Sequence, residues 1–206
     1  MDTLPSGEDE ISIVAKKAFN FLQAEITPSL QYTFLDIGCG TGRDIAFLSS
    51  QFANFTFRGI DISQEAIKNA LKRAPNKEHI TFEQKDWKNI DDTQYDIIYT
   101  SGVYHFFPLA ERNAFISKIK RILKPNGIFF LSTLSSNDTQ YYGKGEPVEG
   151  DPNSFQGEFF LHFSSERELR ESFGFLEIIE LLEYYHKNYA QDTDYHTMRI
   201  LIAQKN

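Results

Sequence analysis

Three glycines and three aspartates hold most of the chemistry this sequence offers. Gly38, Gly40 and Gly42 fall in the stretch "FLDIGCGTGRDI", directly after Asp36. Asp61 closes "FTFRGID" nineteen residues beyond Gly42, and Asp86 stands in "QKDW". Glycines so spaced let the backbone take positive φ and let a ligand come close to the main chain. A helix beginning near Gly42 aims its N–H groups and positive dipole end at the same place, where a carboxylate or phosphate can be held. A carboxylate at Asp61 accepts from both hydroxyls of a ribose. Asp86 is placed to accept from an exocyclic amine, with Trp87 beside it to stack on or cover a ring. Each aspartate alone also reads as a cap on the following helix. Three together suit a cationic ligand better than a pyrophosphate.

The glycine spacing is itself informative. The dinucleotide fingerprint is G-x-G-x-x-G, whereas here it is G-x-G-x-G and Arg43 stands where the third fingerprint glycine belongs. That weighs against a nucleotide-cofactor oxidoreductase. No Lys follows the glycines, so a G-K-[ST] phosphate cradle is missing as well.

Elements must bring these residues together, and the apolar pattern supplies them. From Asp9 to Ile26, apolar positions recur at steps of three and four, an amphipathic helix closed by Pro28. Strands and helices then alternate. "YTFLDI" is a strand, "GRDIAFLSSQF" a helix, "FTFRGIDI" a strand, and "QEAIKNALKRA" a helix capped by Ser63 and ending before Pro75. "HITFEQKD" and "YDIIYTSG" are strands, a helix runs from about Leu109 to Leu123, and "KPNG" turns into the strand "IFFLSTL". This is the βαβ pattern of an α/β fold, a parallel sheet with helices on both faces. In such sheets ligands bind outside the C-terminal strand ends, where Asp36, Asp61, Asp86 and the "TSG" of Thr100 to Gly102 all fall.

After Leu134 the period stops. Residues 135–163 are rich in Gly, Pro, Asn and Asp yet carry six aromatics, and they read as a packed, lid-like insertion. A short helix "SSERELRESF" follows. Then "FLEIIELLEYYHK" and "YHTMRILIAQK" form two strands with no crossover between them, hence an antiparallel hairpin at the sheet edge. No repeat or linker divides the chain, so residues 1–206 read as one domain, with residues 1–28 contributing the N-terminal helix.

Composition narrows the partners. The 206 residues carry a formal net charge of −8, a field that repels nucleic acid and anionic membranes. Two basic clusters, Lys68/Lys72/Arg73/Lys77 and Lys118/Lys120/Arg121/Lys124, read as solvated helix faces. The single Cys39 excludes an intramolecular disulfide and a thiolate metal cage, and no metal site is expected. Nineteen Phe and ten Tyr read as core filling. The acidic start "MDTLPSGEDE" lacks a signal pattern and no apolar run is long enough to span a bilayer, so a cytoplasmic location is expected. The oligomeric state is not readable.

Taken in order, "LDIGCGTGRD", "GIDIS", "QKDW", "YDIIYTSGVYHFF" and "IKRILKPNGIFFLST" resemble the motifs of class I S-adenosylmethionine-dependent methyltransferases. The resemblance covers Thr33 to Leu134 and the terminal hairpin, and within the family it is nearest the small-molecule and tellurite-resistance types. It implies a Rossmann-like domain with a seven-stranded, mostly parallel sheet whose last strand is antiparallel. It implies S-adenosylmethionine as cofactor, its methionine part along Gly38, Cys39, Gly40 and Gly42, with Asp36 near the amino group and Arg43 approaching the carboxylate. Asp61 then holds the ribose and Asp86 the adenine amine, with Ile62, Trp87 and Ser101 completing the cofactor site. "SGVYHF" replaces the Asn-Pro-Pro-Tyr motif of base amino methylation, so the expected acceptor is a small molecule and not a nucleic acid.

Methyl transfer from a sulfonium is an in-line displacement that disperses charge, so a dry, orienting pocket accelerates it without a strong base. If the acceptor must lose a proton, His105 just past the fourth strand is the first candidate base, with His162 and Tyr142 on the insertion as alternatives. His79, His186 and His196 share no metal-ligand spacing, and Cys39 reads as a small packing residue. Another reading is a non-catalytic cofactor-binding protein that docks a partner through residues 135–163.

Overall fold

A computed structural model describes residues 11–74, 78–187 and 195–206; the charged N-terminal stretch up to Glu10, together with Pro75 and Lys77, lies outside the described residues. The first helix, α1 (Ile13–Glu25), starts where Ser12 accepts the Ala15 N–H, and it buries Val14, Ala15, Ala18 and Leu22 on one stripe. Strand β1 (Tyr32–Ile37) leads through the glycine loop into α2 (Arg43–Gln51). Next come β2 (Phe55–Asp61), α3 (Gln64–Arg73), β3 (Ile80–Gln84), β4 (Tyr95–Ser101), α4 (Leu109–Ile122) and β5 (Leu123–Leu134). Ser63 caps α3 as its position suggests, accepting from Ala66 N. Single 3-10 turns at Trp87–Asn89 and Tyr104–Phe106 follow β3 and β4.

Helix α4 passes into β5 with almost no connection. Leu123 pairs with Tyr95, and the ladder resumes at Ile97 with Ile128, so the expected "KPNG" turn is a bulge within β5. Asn126 adopts φ 60° there, a left-handed value that asparagine tolerates better than most residues. The small helix α5 (Glu166–Ser172) is capped by Ser165, and β9 (Glu177–Lys187) and β10 (Tyr195–Gln204) end the fold.

The seven-stranded sheet runs β3-β2-β1-β4-β5-β10-β9. All pairs are parallel except those of β10, which lies antiparallel between β5 and β9. The hairpin is thus at the edge, as the missing crossover requires, with β9 outermost. Alternation along the strands sorts the core into two layers. Leu35, Ile37, Ile98 and Leu131 face α4 and α5, with Phe115, Ile119 and Leu169. Phe34, Phe57, Ile97 and Phe130 face α1 and α2, with Val14, Ala18, Ile45 and Leu48. Burying each such large side chain is worth roughly 1.5–3 kcal/mol. Phenylalanines fill this second layer ring on ring, Phe34 tilted at 5.0 Å from Phe57 and Phe52 stacked at 4.7 Å from Phe55 between ring centroids.

Residues 135–163 hold a second, small antiparallel sheet, β6 (Glu146–Pro147), β7 (Ser154–Gln156) and β8 (Phe160–His162). Strands of two or three residues leave no period in a sequence, so this order was not legible there. One basic residue departs from the expected solvated face. Lys118 is not on a solvated face but buried, its ammonium donating to the Ile90 carbonyl and lying 3.3 Å from Asp92. No described helix is long and apolar enough to cross a membrane.

Candidate active site

The switch point of the sheet lies between β1 and β4, where the order turns back on itself. Two cavities open there. The larger, about 470 Å³, is bounded by Ile60, Asp61, Ile62, Asp86 and Trp87 on one side and by Val103, Phe106 and Phe107 on the other. The smaller, about 260 Å³, is bounded by Asp36, Cys39, Gly40, Thr41, Arg43, Asp44 and Tyr99. Gly38 and Ser101 line both. A further hollow of about 460 Å³ lies at the opposite strand ends beside Phe21, Tyr32 and Pro125. One of its carboxylates, Asp96, is already held by Thr33 and Lys124.

The glycine loop is built as its residue types demand. Gly38 takes φ 78°, and a Cβ there would stand 2.1 Å from Val103 Cγ2. Gly42 takes φ 72° as the residue before α2, and its missing Cβ leaves room for Phe82 and Ala70 at under 3 Å. Gly38 N and Cys39 N both donate to the Ile60 carbonyl, which ties the loop to β2. Asp61 ties it again, because Gly40 N donates to its Oδ2 at 2.9 Å.

Each carboxylate has a distinct state. Asp61 Oδ1 accepts from Ser63 N at 2.8 Å, and Asp86 Oδ1 accepts from Lys88 N at 2.9 Å, so both cap the following turn while lining the larger cavity. Asp44 is saturated. Its Oδ2 accepts from Ser12 Oγ and Tyr99 OH, each at 2.7 Å, and its Oδ1 from Arg43 Nε at 3.0 Å. Asp36 is the exception: it is 2% exposed, and its Oδ1 has no hydrogen-bond partner. Burial, then the charges of Asp44 and Asp61, push its carboxyl well above the ordinary range, against the opposing pull of Arg43. A buried acceptor without a donor costs on the order of 1–3 kcal/mol, more when charged. A cation reaching this corner relieves that cost.

Trp87 closes the larger cavity. It is buried, 5.4 Å from the Phe107 ring and 5.2 Å edge-on to Phe115. Lys88 and Glu111, 2.9 Å apart, bridge the two walls from the outside. One cavity is thus largely apolar with carboxylates in its lining, and it shares Gly38 and Ser101 with a second, polar cavity that holds Asp36, Asp44 and Arg43.

The structure brings Asp36, Gly38, Cys39, Gly40, Arg43, Asp61, Ile62, Asp86, Trp87 and Ser101 to the cavity walls, and Gly42 behind them as the start of α2. The three proton-transfer candidates line neither cavity. His105 lies in the turn between Tyr104 and Phe106 but is buried, and burial, then neighbouring His196 and His162, push its pKa down to about 3. His162 is wholly buried, with Ser154 Oγ 2.9 Å from Nδ1 and Glu168 Oε1 2.8 Å from Nε2. Tyr142 donates to Asn153 Oδ1 and packs edge-on to Phe155 and Phe163 within the insertion. Cys39 is a packing residue in a raised-pKa environment, set first by burial and then by Asp36 and Asp61.

Sequence reasoning missed Asp44, Tyr99, Val103, Phe106 and Phe107. Asp44 follows Arg43 directly, and its signal was only that "GRD" opens a helix with an acid, which the helix dipole alone explains. Tyr99 read as strand apolarity, and its hydroxyl shows its role only when Ser12 of a distant helix arrives beside it at 3.3 Å.

This sheet order, with the glycine loop after β1 and acids at or near the ends of β1 and β2, defines a doubly wound α/β protein with cavities at its switch point. Residues 35–129 match the family model described as a methyltransferase domain. That span, a little under half of the chain, is where the likeness to S-adenosylmethionine-dependent methyltransferases lies. It is similar to malonyl-[acyl-carrier protein] O-methyltransferase 2 of Ilyobacter polytropus, 25% identical over 131 residues, covering 63% of this chain and 50% of that protein. It thus spans half the length of that relative. A solved S-adenosylmethionine-dependent methyltransferase from Methanosarcina mazei superposes with a TM-score of 0.74 at 22% identity, over 90% of this chain and 96% of that one. TehB from Haemophilus influenzae superposes with a TM-score of 0.69 at 18% identity, over 93% of this chain and 62% of that one. These two likenesses establish the fold.

Proposed function

We propose that this chain transfers a methyl group from S-adenosylmethionine to a small-molecule acceptor by in-line displacement. The observation that carries the reading is Asp36, a buried carboxyl group with an unpartnered oxygen, in a polar cavity that shares Gly38 and Ser101 with an aromatic-lined one. The residues present fit the cofactor. Asp61 is set to accept from ribose hydroxyls, Asp86 from the adenine amine, and Trp87 with Phe107 to cover the base. Asp36 receives the ammonium, and Arg43 the carboxylate of the amino-acid part. When bound, the cofactor supplies an electrophilic methyl on a sulfonium.

The chain's own contribution is orientation and exclusion of water. Effective concentration from correct positioning alone supplies up to roughly 7–11 kcal/mol of a barrier. Val103 packs against Gly38 in the lining of the larger cavity, and Tyr99 holds Asp44 in the lining of the smaller. His105 is held neutral with a poor affinity for protons, so we assign it no proton abstraction at neutral pH. The acceptor therefore brings its own nucleophile, a carboxylate, thiolate or neutral amine, or loses its proton to solvent afterwards. A carboxylate acceptor is in keeping with the relative named malonyl-[acyl-carrier protein] O-methyltransferase 2. The aromatic insertion at 135–163 is the acceptor-side wall in this reading.

The deciding experiment is calorimetric titration of the chain with S-adenosylmethionine, S-adenosylhomocysteine and NAD, followed by transfer of labelled methyl to a panel of small acids, thiols and amines. Binding of the first two without NAD, and label in an acceptor, is the expected result. Binding without transfer to any acceptor supports a non-catalytic cofactor-binding protein instead, and no binding to a folded chain ends both readings.

A further inference from the structure

Arg112, in the first turns of α4, is 2% exposed, and methyl transfer as described makes no use of it. Its Nη2 donates to Asp151 Oδ1 at 2.5 Å, and Nη1 donates to Oδ2 at 3.2 Å and to the Phe107 carbonyl at 2.9 Å. Asp151, 5% exposed, also accepts from Leu109 N at 3.0 Å. On its other side Arg112 Nε lies 3.8 Å from Glu168 Oε1, the oxygen that stands 2.8 Å from His162 Nε2. His162 Nδ1 meets Ser154 Oγ at 2.9 Å, and Ser154 N donates to the Asp151 carbonyl at 3.2 Å. The contacts close a ring through Asp151, Arg112, Glu168, His162 and Ser154. That ring joins α4, α5 and the small sheet of the insertion.

Ion pairs buried this deeply are poor stabilisers, since desolvation offsets their attraction and apolar replacements of similar volume are often neutral or better. Their use is to fix orientation. Arg112's bond to the Phe107 carbonyl leads out of the ring to the cavity, for Phe107 is the residue that backs Trp87. We infer that Arg112 is a positioning residue for the nucleoside slot: it sets the Phe107–Trp87 wall, and Asp151 makes that setting depend on the seated insertion. The inference rests on the larger cavity being the nucleoside half of the cofactor site. The insertion then governs cofactor affinity as well as the acceptor side.

Trp87 is the only tryptophan, so its emission reports on this wall directly. The test titrates the full chain and its variants Arg112→Met, Arg112→Lys, Asp151→Asn and Phe55→Leu with S-adenosylhomocysteine and with 5′-methylthioadenosine, which lacks the amino-acid part. Phe55→Leu truncates the core at the start of β2, away from the cavity. Arg112→Met and Asp151→Asn are expected to weaken both ligands tenfold or more and by equal factors, with shifted Trp87 emission, while Arg112→Lys regains part of the loss. Phe55→Leu is expected to melt earlier yet bind as the unaltered chain does. The inference is overturned if folded Asp151→Asn binds both ligands within twofold of the unaltered chain. It is overturned equally if affinity merely follows melting temperature across the set. Should Arg112→Met not fold, Asp151→Asn decides alone. If the unaltered chain binds neither ligand, the nucleoside reading of the cavity has failed before the wall is in question.

Discussion

The backbone N–H of Gly40 donates to Asp61 Oδ2 at 2.9 Å, so the glycine loop after β1 and the carboxylate ending β2 form one rigid unit. Asp61 therefore shapes the loop and also presents its remaining lone pairs to the larger cavity. Asp61→Ala loses both functions, and cofactor affinity is expected to fall by about 2–4 kcal/mol, the range for losing a pair of hydrogen bonds to a charged group. Calorimetry reads this directly. Unchanged affinity removes the ribose assignment.

Asp36 should show the opposite signs for stability and binding. Its folded pKa lies above the ordinary 3.8, so above that value the folded chain keeps a proton that the unfolded chain has released. Stability from this group thus falls as pH rises through that window. Asp36→Asn removes the loss, and the ligand-free variant is expected to melt higher at neutral pH. Its affinity for S-adenosylmethionine should drop while that for 5′-methylthioadenosine holds. An equal loss for both ligands would show that Asp36 does not meet the ammonium.

Gly38→Ala places a methyl against Val103 Cγ2 and forces an L-residue into positive φ. The backbone strain alone costs about 1–2 kcal/mol. Adding Val103→Ala removes the collision and leaves the strain. Denaturant melts of the two single variants and the double variant should show partial recovery in the double. Simple additivity would mean that the two side chains do not compete for one space.

His105 gives the protein an acid-side sensitivity. Its folded pKa of about 3 lies below the ordinary 6.5, so below pH 6.5 the unfolded chain binds a proton that the folded chain refuses. The contribution is intact above 6.5 and is lost as pH falls toward 3, with a slope of at most about 1.4 kcal/mol per pH unit. His105→Gln is expected to flatten the stability profile between pH 6.5 and 5, where ordinary carboxylates add little. An unaltered slope would place the sensitivity elsewhere.

Most of the lining of the two cavities at the switch point was readable because what places it is local. A glycine that must take φ 78° and a carboxylate ending a strand are visible in a few consecutive letters. Alternating apolar segments likewise announced the sheet and its two covered faces. The surroundings of His105 and of Arg112 were not readable, for a physical reason. Whether His105 faces a crevice depends on the rotation of one 3-10 turn, and whether Arg112 is a surface cation or a buried clamp depends on Asp151, thirty-nine residues away. Asp44, Tyr99 and Ser12 meet only in the folded chain, from α2, β4 and the cap of α1. Charges that pair across such distances carry no local signature.

The position of β10 bears on how the chain is made. Since β10 sits between β5 and β9 and follows both in the chain, both must be synthesised before the strand that joins them. Until then β5 and β9 each present an open row of N–H and C=O groups, the template on which nascent chains pair with one another. The interval between synthesis of Lys187 and Gln204 is therefore the period of greatest exposure to aggregation, and a message truncated there yields a client for chaperones or proteases.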